Sequence, residues 1–150
     1  MEYSRAMARR SRDPKVQRLS QVQLFRSCSK RELARIAALS NEVDIAAGTV
    51  LMRQGDTGQE CFVIEKGKAK ATVRGKKSRI MGPGECFGEM ALLHAAPRSA
   101  TVTAETDMNL VVLGSREFWT LLEDVPRVAL KVLAAVGERL RETEGAQPHH

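Results

Sequence analysis

Aromatic residues are scarce. One Trp, one Tyr and four Phe make up 4% of the 150 residues, so the expected core is aliphatic, built from Leu, Val, Ile, Ala and Met. No apolar run reaches the roughly 18 residues of a membrane span, and no span is expected. The first residues carry arginines without an apolar stretch, which is unlike a secretory signal. The three cysteines, Cys28, Cys61 and Cys86, are odd in number and far apart. They fit no metal or redox spacing and point to a reducing, cytoplasmic setting, with Cys61 and Cys86 as small core residues. Histidine is nearly absent inside the chain: His94 has no partner, and His149 and His150 are terminal. A metal-dependent hydrolase needs a ligand cluster, so neither a resident metal nor catalysis is expected.

Charge is plentiful but uneven, with a net of +6. Residues 1–20 hold Arg5, Arg9, Arg10, Arg12, Lys15 and Arg18 against Glu2 and Asp13. The plain reading of 1–15 is a flexible, solvated arm. The sharper alternative, a nucleic-acid or acidic-membrane arm, is weakened for single strands because only Tyr3 is there to stack. Hydrophobic residues at 43% of a chain this long predict one domain with a real core. Val16, Leu19 and Val22, followed by Leu24-Phe25, read as a short helix and a turn. Ser29-Lys30-Arg31-Glu32 is a capping box ahead of Leu33, Ile36, Ala37 and Leu39, so residues 30–40 read as a helix.

Short strands with turn residues between them fill the middle of the chain, at Val43–Ile45, Val50–Met52, Cys61–Ile64, 69–73, Arg79–Met81, Ser99–Ala104 and Asn109–Leu113. Ala69, Ala71 and Val73 alternate with Lys68, Lys70 and Thr72, which gives one buried and one wet face. Arg74-Gly75-Lys76-Lys77 is a basic hairpin tip. No long helices separate these strands, which excludes a parallel α/β sheet, and the glycine spacing at Gly82, Gly84 and Gly88 is wrong for a dinucleotide fold. The expected fold is mainly β with flanking helices. It is a small antiparallel β-roll or jelly-roll barrel (a double-stranded β-helix) with N-terminal helices, one short inserted helix and C-terminal helices. The pattern turns helical again after Ser115, which is a candidate cap for a helix holding Phe118, Trp119, Leu121 and Leu122, with Phe118 and Trp119 expected to pack between the two C-terminal helices. Pro126 suits the first turn of the second, whose Ala129, Val132, Leu133, Val136 and Leu140 share a face.

Gly84-Glu85-Cys86-Phe87-Gly88-Glu89-Met90-Ala91-Leu92-Leu93, then Pro97-Arg98-Ser99-Ala100-Thr101-Val102, is the stretch that carries chemistry. A short helix stopped by proline offers free N–H groups at its start, and Arg98 adds a fork of donors suited to phosphate. Glu89 fits a ligand that also carries hydroxyls, as ribose does. The bland alternative for Arg98 is a surface ion pair with Glu85 or Glu89.

Gly88-Glu89-x-Ala91-Leu92 with Pro97-Arg98-x-Ala100-Thr101-Val102 resembles the phosphate-binding cassette of cyclic nucleotide-binding domains, over about residues 20–143. The relatives are catabolite-activator-type regulators, regulatory subunits of cyclic-AMP-dependent kinases, and cyclic-nucleotide-gated channels. The resemblance implies a sensor that moves its terminal helices when ligand binds, and not an enzyme. It implies Arg98 on the exocyclic phosphate oxygens and Glu89 on the ribose 2′-hydroxyl. Phe87 and Gly88 stand at the cassette entry, Met90 and Ala91 offer N–H groups, and Ser99 and Ala100 add donors. It also implies apolar base cover from Val73, Leu133, Val136 or Leu140, with Thr143 beside the base. Ser99 leans the choice towards cyclic AMP over cyclic GMP. The domain is expected over 16–143, with helices at 16–40, a β-roll at 43–113, C-terminal helices at 116–143, and a flexible tail at 144–150. Beyond the nucleotide, the expected partner is a second copy through the C-terminal helix or an effector protein. No helix-turn-helix follows, so DNA binding is not expected. The alternatives are a fragment of a larger regulator, channel or transporter, and an interaction module of the same fold without ligand.

Overall fold

Two strands are apolar without a break, Cys61-Phe62-Val63-Ile64 and Leu110-Val111-Val112-Leu113. Such runs demand burial on both faces, and they pair with each other at the centre of the molecule. The computed structural model describes residues 15–22, 25–88, 97–131, 133–134 and 137. The elements are α1 (Lys15–Leu19), α2 (Lys30–Leu39), β1 (Asn41–Ile45), β2 (Val50–Met52), β3 (Glu60–Lys66), β4 (Ala69–Thr72), β5 (Arg79–Met81), β6 (Cys86–Phe87), β7 (Thr101–Ala104), β8 (Met108–Gly114) and α3 (Ser115–Asp124). A further helix, α4, covers 126–131.

All named ladders are antiparallel, in two four-stranded sheets ordered β1-β8-β3-β6 and β2-β7-β4-β5. The expected barrel is therefore corrected: each sheet keeps two edges, and the two are not closed into a barrel. The reason lies in how the chain changes sheet. It crosses at β1–β2, β2–β3, β3–β4, β5–β6, β6–β7 and β7–β8, and no named strand bends round to pair in both sheets. Gly67 makes the β3–β4 corner with φ +91°, and a Cβ there would overlap the Asp107 carbonyl oxygen.

The inner faces of the sheets enclose one core, with Phe62, Ile64, Phe87, Leu110 and Val112 from the first and Ala69, Met81, Val102 and Ala104 from the second. The outer face of the first sheet supplies Cys61, Val63, Val111 and Leu113 to a second core, closed by Leu19, Phe25, Leu33, Ile36, Phe118, Leu121, Val125 and Val128. The molecule is thus layered as helices, sheet, sheet. The aliphatic-core expectation needs correcting too, because Phe62, Phe87 and Phe118 are among the largest fully buried side chains. Trp119 does not pack between helices and is 53% exposed. Ser115 is the first residue of α3 and not its cap: Gly114 holds that position without a side-chain bond.

The helices are tied at their ends. The capping box at α2 is formed, with Glu32 N–H donating to Ser29 Oγ at 3.1 Å and Ser29 N–H to the Glu32 carboxylate at 2.7 Å. Lys15 Nζ donates to the Ala37 and Ser40 carbonyls at 2.7 and 2.6 Å, which neutralises the C-terminal end of α2. Arg35 pairs with Asp124 across α2 and α3, and Arg127 donates to the Ser27 carbonyl at 3.2 Å.

The Ser29 N–H holds the Glu32 carboxyl below its ordinary value of 4.5. A lowered carboxyl pKa stabilises the fold above the unfolded value, and the stabilisation is lost as pH falls through the folded value. The melting-temperature difference between the protein and Glu32→Ala should therefore be full at neutral pH and shrink in acid. A difference that stays constant down the acid limb would contradict this role.

Candidate functional site

Arg98 is a charged side chain with 9% of its surface exposed. Its backbone is clamped from both directions. Arg98 N–H donates to the Asp56 carbonyl at 2.7 Å, and its carbonyl accepts from Gly55 N–H at 2.9 Å. Thr57 bridges Pro97 beside it. Pro97-Arg98 thus runs antiparallel to the loop between β2 and β3, and the side chain enters the molecule from a fixed base.

Two glycines make room for that side chain. A Cβ at Gly58 would overlap the Arg98 Nε. At Gly88, where φ is +78°, a Cβ would lie 2.7 Å from Arg98 Nη1 and 2.9 Å from the Glu60 carbonyl oxygen. Arg98 Nη1 lies 3.4 Å from the Gly88 carbonyl as donor. Its guanidinium carbon stands 6.0 Å from the centroid of the Phe62 ring, which is itself stacked on Phe87 at 4.9 Å and 16°. The phenylalanine pair belongs to the inter-sheet core, so the guanidinium rests against that core. Glu85, one of the acids open to Arg98 in the sequence, instead accepts from Arg79 Nη2 at 2.7 Å and from Gly82 N–H at 2.8 Å.

Of the sequence-derived site residues, the fold brings Phe87, Gly88 and Arg98 together. Ala100 is buried at 8% exposure and Ser99 is exposed, both directly after the arginine. Val73 is half-buried beyond the end of β4, and Leu133 is 54% exposed. Glu89, Met90, Ala91, the rest of the inserted helix with His94, and Val136, Leu140 and Thr143 lie outside the described residues, as do 1–14 and 138–150.

An open cleft of about 680 Å³ lies beside Arg98, in the roughly 300–1,000 Å³ range of small-molecule pockets. Leu51, Met52 and Phe62 give it apolar wall, Asp56–Glu60 one rim, and Ser115–Glu117 at the start of α3 the other. Neither Val73 nor Leu133 lines it. Sequence reasoning passed over Gly58, Glu60 and Phe62. Gly58 was visible only as one breaker in a turn, and its use as a seat for Arg98 depends on a pairing 40 residues away in sequence.

Among the described residues no group of three or more His, Cys, Asp or Glu could hold a metal ion, and no helix is long and apolar enough to cross a membrane. Burial, followed by the charge of Glu32, raises the pKa of the Cys28 thiol, which favours its protonated form.

Comparison with known proteins converges on this stretch. The family model described as the cyclic nucleotide-binding domain matches residues 42–125. The regulatory subunit of a cAMP-dependent protein kinase from Blumeria graminis is 34% identical over 112 residues, covering 73% of this chain and 28% of that protein. The cyclic AMP receptor protein of Thermus thermophilus is 36% identical over 102 residues, covering 65% of this chain and 47% of that protein. The chain therefore spans less than half the length of these relatives. Among solved structures, the Thermus thermophilus catabolite activator protein superposes with a TM-score of 0.73 at 32% identity, covering 81% of this chain and 59% of that one. The N-terminal domain of a transcriptional regulator from Streptomyces coelicolor gives 0.66 at 34% identity, covering 88% and 96%. With more than half of its length matched by the family model, and with that match running through Gly88 and the buried Arg98, the chain belongs to the cyclic nucleotide-binding domain family, a regulatory and not a catalytic one.

Proposed function

We propose that residues 16–143 act as a cyclic-nucleotide sensor whose ligand places its cyclic phosphate on Arg98, with 1–15 as a basic arm and 144–150 as a tail. The observation that supports this best is the burial of Arg98 between Gly58 and Gly88. A guanidinium held in place can meet two phosphate oxygens in parallel with little ordering cost. In this reading Glu89 accepts from the ribose 2′-hydroxyl, and Gly88, Met90 and Ala91 let main-chain N–H groups approach ribose and phosphate. Ser99 and Ala100 add donors, and Phe87 backs the arginine through Phe62. Val73, Leu133, Val136 and Leu140 give apolar cover, with Thr143 at the base edge.

Cyclic AMP is proposed over cyclic GMP. Ser99 leans that way, and relatives named for cAMP support it. The signal is proposed to leave through the helices, since the Arg35–Asp124 pair joins α2 to α3 and Arg127 of α4 lies 3.8 Å from Glu32 of α2, so the three would move together. Ligand shifts that equilibrium only by its differential affinity for the two helix positions. Leu130 and Leu133, 68% and 54% exposed, offer an apolar stripe for a second copy or an effector. A reducing, cytoplasmic setting suits cysteines that form no disulfide among the described residues.

Calorimetric titration of ligand-free protein with cyclic AMP and cyclic GMP tests the reading. The expected result is micromolar or tighter binding, stronger for cyclic AMP, and weakened about a hundredfold or more in Arg98→Ala. No heat from either nucleotide on folded protein would overturn it in favour of an interaction module.

The two glycines should separate seat from scaffold. Gly58→Ala collides with side-chain atoms of Arg98 and with no backbone, so binding should fall about tenfold, with a smaller change in melting temperature than Gly88→Ala gives. Gly88→Ala adds strain at a positive φ, on the order of 1–3 kcal/mol, and should lower both binding and stability. Unchanged binding in Gly58→Ala would show that Arg98 position does not matter.

A further inference from the structure

Apart from Val73, assigned above to base cover, the β4–β5 hairpin carries an outward cationic surface that the proposed nucleotide site does not use. From Lys66 to Gly84 the chain has seven cations, Lys66, Lys68, Lys70, Arg74, Lys76, Lys77 and Arg79, and no Asp or Glu. All seven are exposed. The hairpin is the edge of the second sheet, and the helices pack on the first sheet, on the far side of the molecule. Its form is fixed: Arg74 N–H donates to the Gln54 side chain at 2.8 Å, Lys76 N–H to the Val73 carbonyl at 2.9 Å, and Thr72 and Ser78 hydroxyls meet at 3.1 Å.

Ile80 stands on this cationic surface at 52% exposure, directly opposite Lys70 in the ladder. An apolar side chain displayed among lysines on an edge strand is not explained by folding, because its inward neighbour Met81 already fills the core position at 1% exposure. Acids do border the patch. Glu85 is bonded to Arg79, and Glu105 and Asp107 lie at the Lys66–Lys68 end, where Glu105 N–H donates to the Lys68 carbonyl. The run from Lys70 through the tip to Ile80 has none in its own sequence.

We infer that this hairpin is a docking surface for an anionic lipid bilayer. Lys70, Arg74, Lys76 and Lys77 would sit at the headgroup phosphates and carboxylates, and Ile80 would enter the boundary with the acyl chains. Charge complementarity requires a negative partner. A half-exposed apolar residue among cations matches the boundary between headgroups and acyl chains, which favours a bilayer. The hairpin also offers no aromatic for stacking on single-stranded bases.

Co-sedimentation of the full chain with vesicles tests this. One set is phosphatidylcholine alone, and the other contains roughly one-third phosphatidylserine, at about 0.1 M salt. Binding is expected to the anionic set only. Each lost cation should weaken it about fivefold, so Lys76→Glu with Lys77→Glu should reduce it at least tenfold. Ile80→Ser should reduce it severalfold. Arg9→Glu with Arg10→Glu is the charge-matched control in the basic N-terminal segment. An equal loss there would reveal a net-charge effect and overturn the assignment. Absence of binding to anionic vesicles would overturn it, as would wild-type affinity in Ile80→Ser. Tighter binding to random duplex DNA than to the vesicles, indifferent to Ile80, would also overturn it in favour of nucleic acid.

Discussion

The β3–β8 pair is the constraint on which the rest depends. Six residue pairs join it, from Glu60 opposite Gly114 to Lys66 opposite Asn109, and its side chains feed both cores. A strand pair apolar on both faces cannot be satisfied by one partner layer. It recruits the second sheet on one side and the helices on the other. Neither layer is free to leave without exposing Phe62 and Ile64, or Val63 and Leu113, to water. Each of those side chains contributes roughly 1.5–3 kcal/mol when fully buried.

That same pair sets the position of the buried arginine, Arg98. Phe62 points from β3 into the inter-sheet core, stacks on Phe87 of β6, and offers its ring to Arg98. Phe87 is followed at once by Gly88, whose carbonyl faces the guanidinium. Scaffold and site are therefore continuous: the residues that close the core also aim the charge. The helical layer reaches the same strands from outside through Phe118 and Leu121. The site and the helices thus both rest on β3, and the proposed ligand-coupled movement would run through that shared strand.

Much of this was legible because it is local. The capping box at Ser29–Glu32 needs only four residues, and the alternation in Ala69–Thr72 needs only the period of a strand. Gly88 and Arg98 are ten residues apart in a recognisable order, and the fold does bring them together. What failed was non-local or positional. Short strands separated by glycines are common to a closed barrel and to two facing sheets, and only long-range pairing decides between them. Composition said how few aromatics there are, not that all four phenylalanines would be buried in the cores. Adjacent Phe118 and Trp119 lie about 100° apart on a helix, and periodicity alone did not say which one faces inward. Gly58 as the seat of Arg98 was beyond reach, because its neighbour is supplied by a distant segment of chain.

The central claim is that a phosphate-bearing ligand is met by the Arg98 guanidinium in its buried seat. The most direct test follows the arginine Nε–Hε resonances by nitrogen-15 NMR while cyclic AMP is added, with the Arg98 signal assigned by its absence in Arg98→Lys. The account predicts one resonance, that of Arg98, moving markedly and becoming protected from solvent exchange at saturation. An Arg98 signal unchanged at saturating nucleotide, with shifts confined to other arginines, would contradict it.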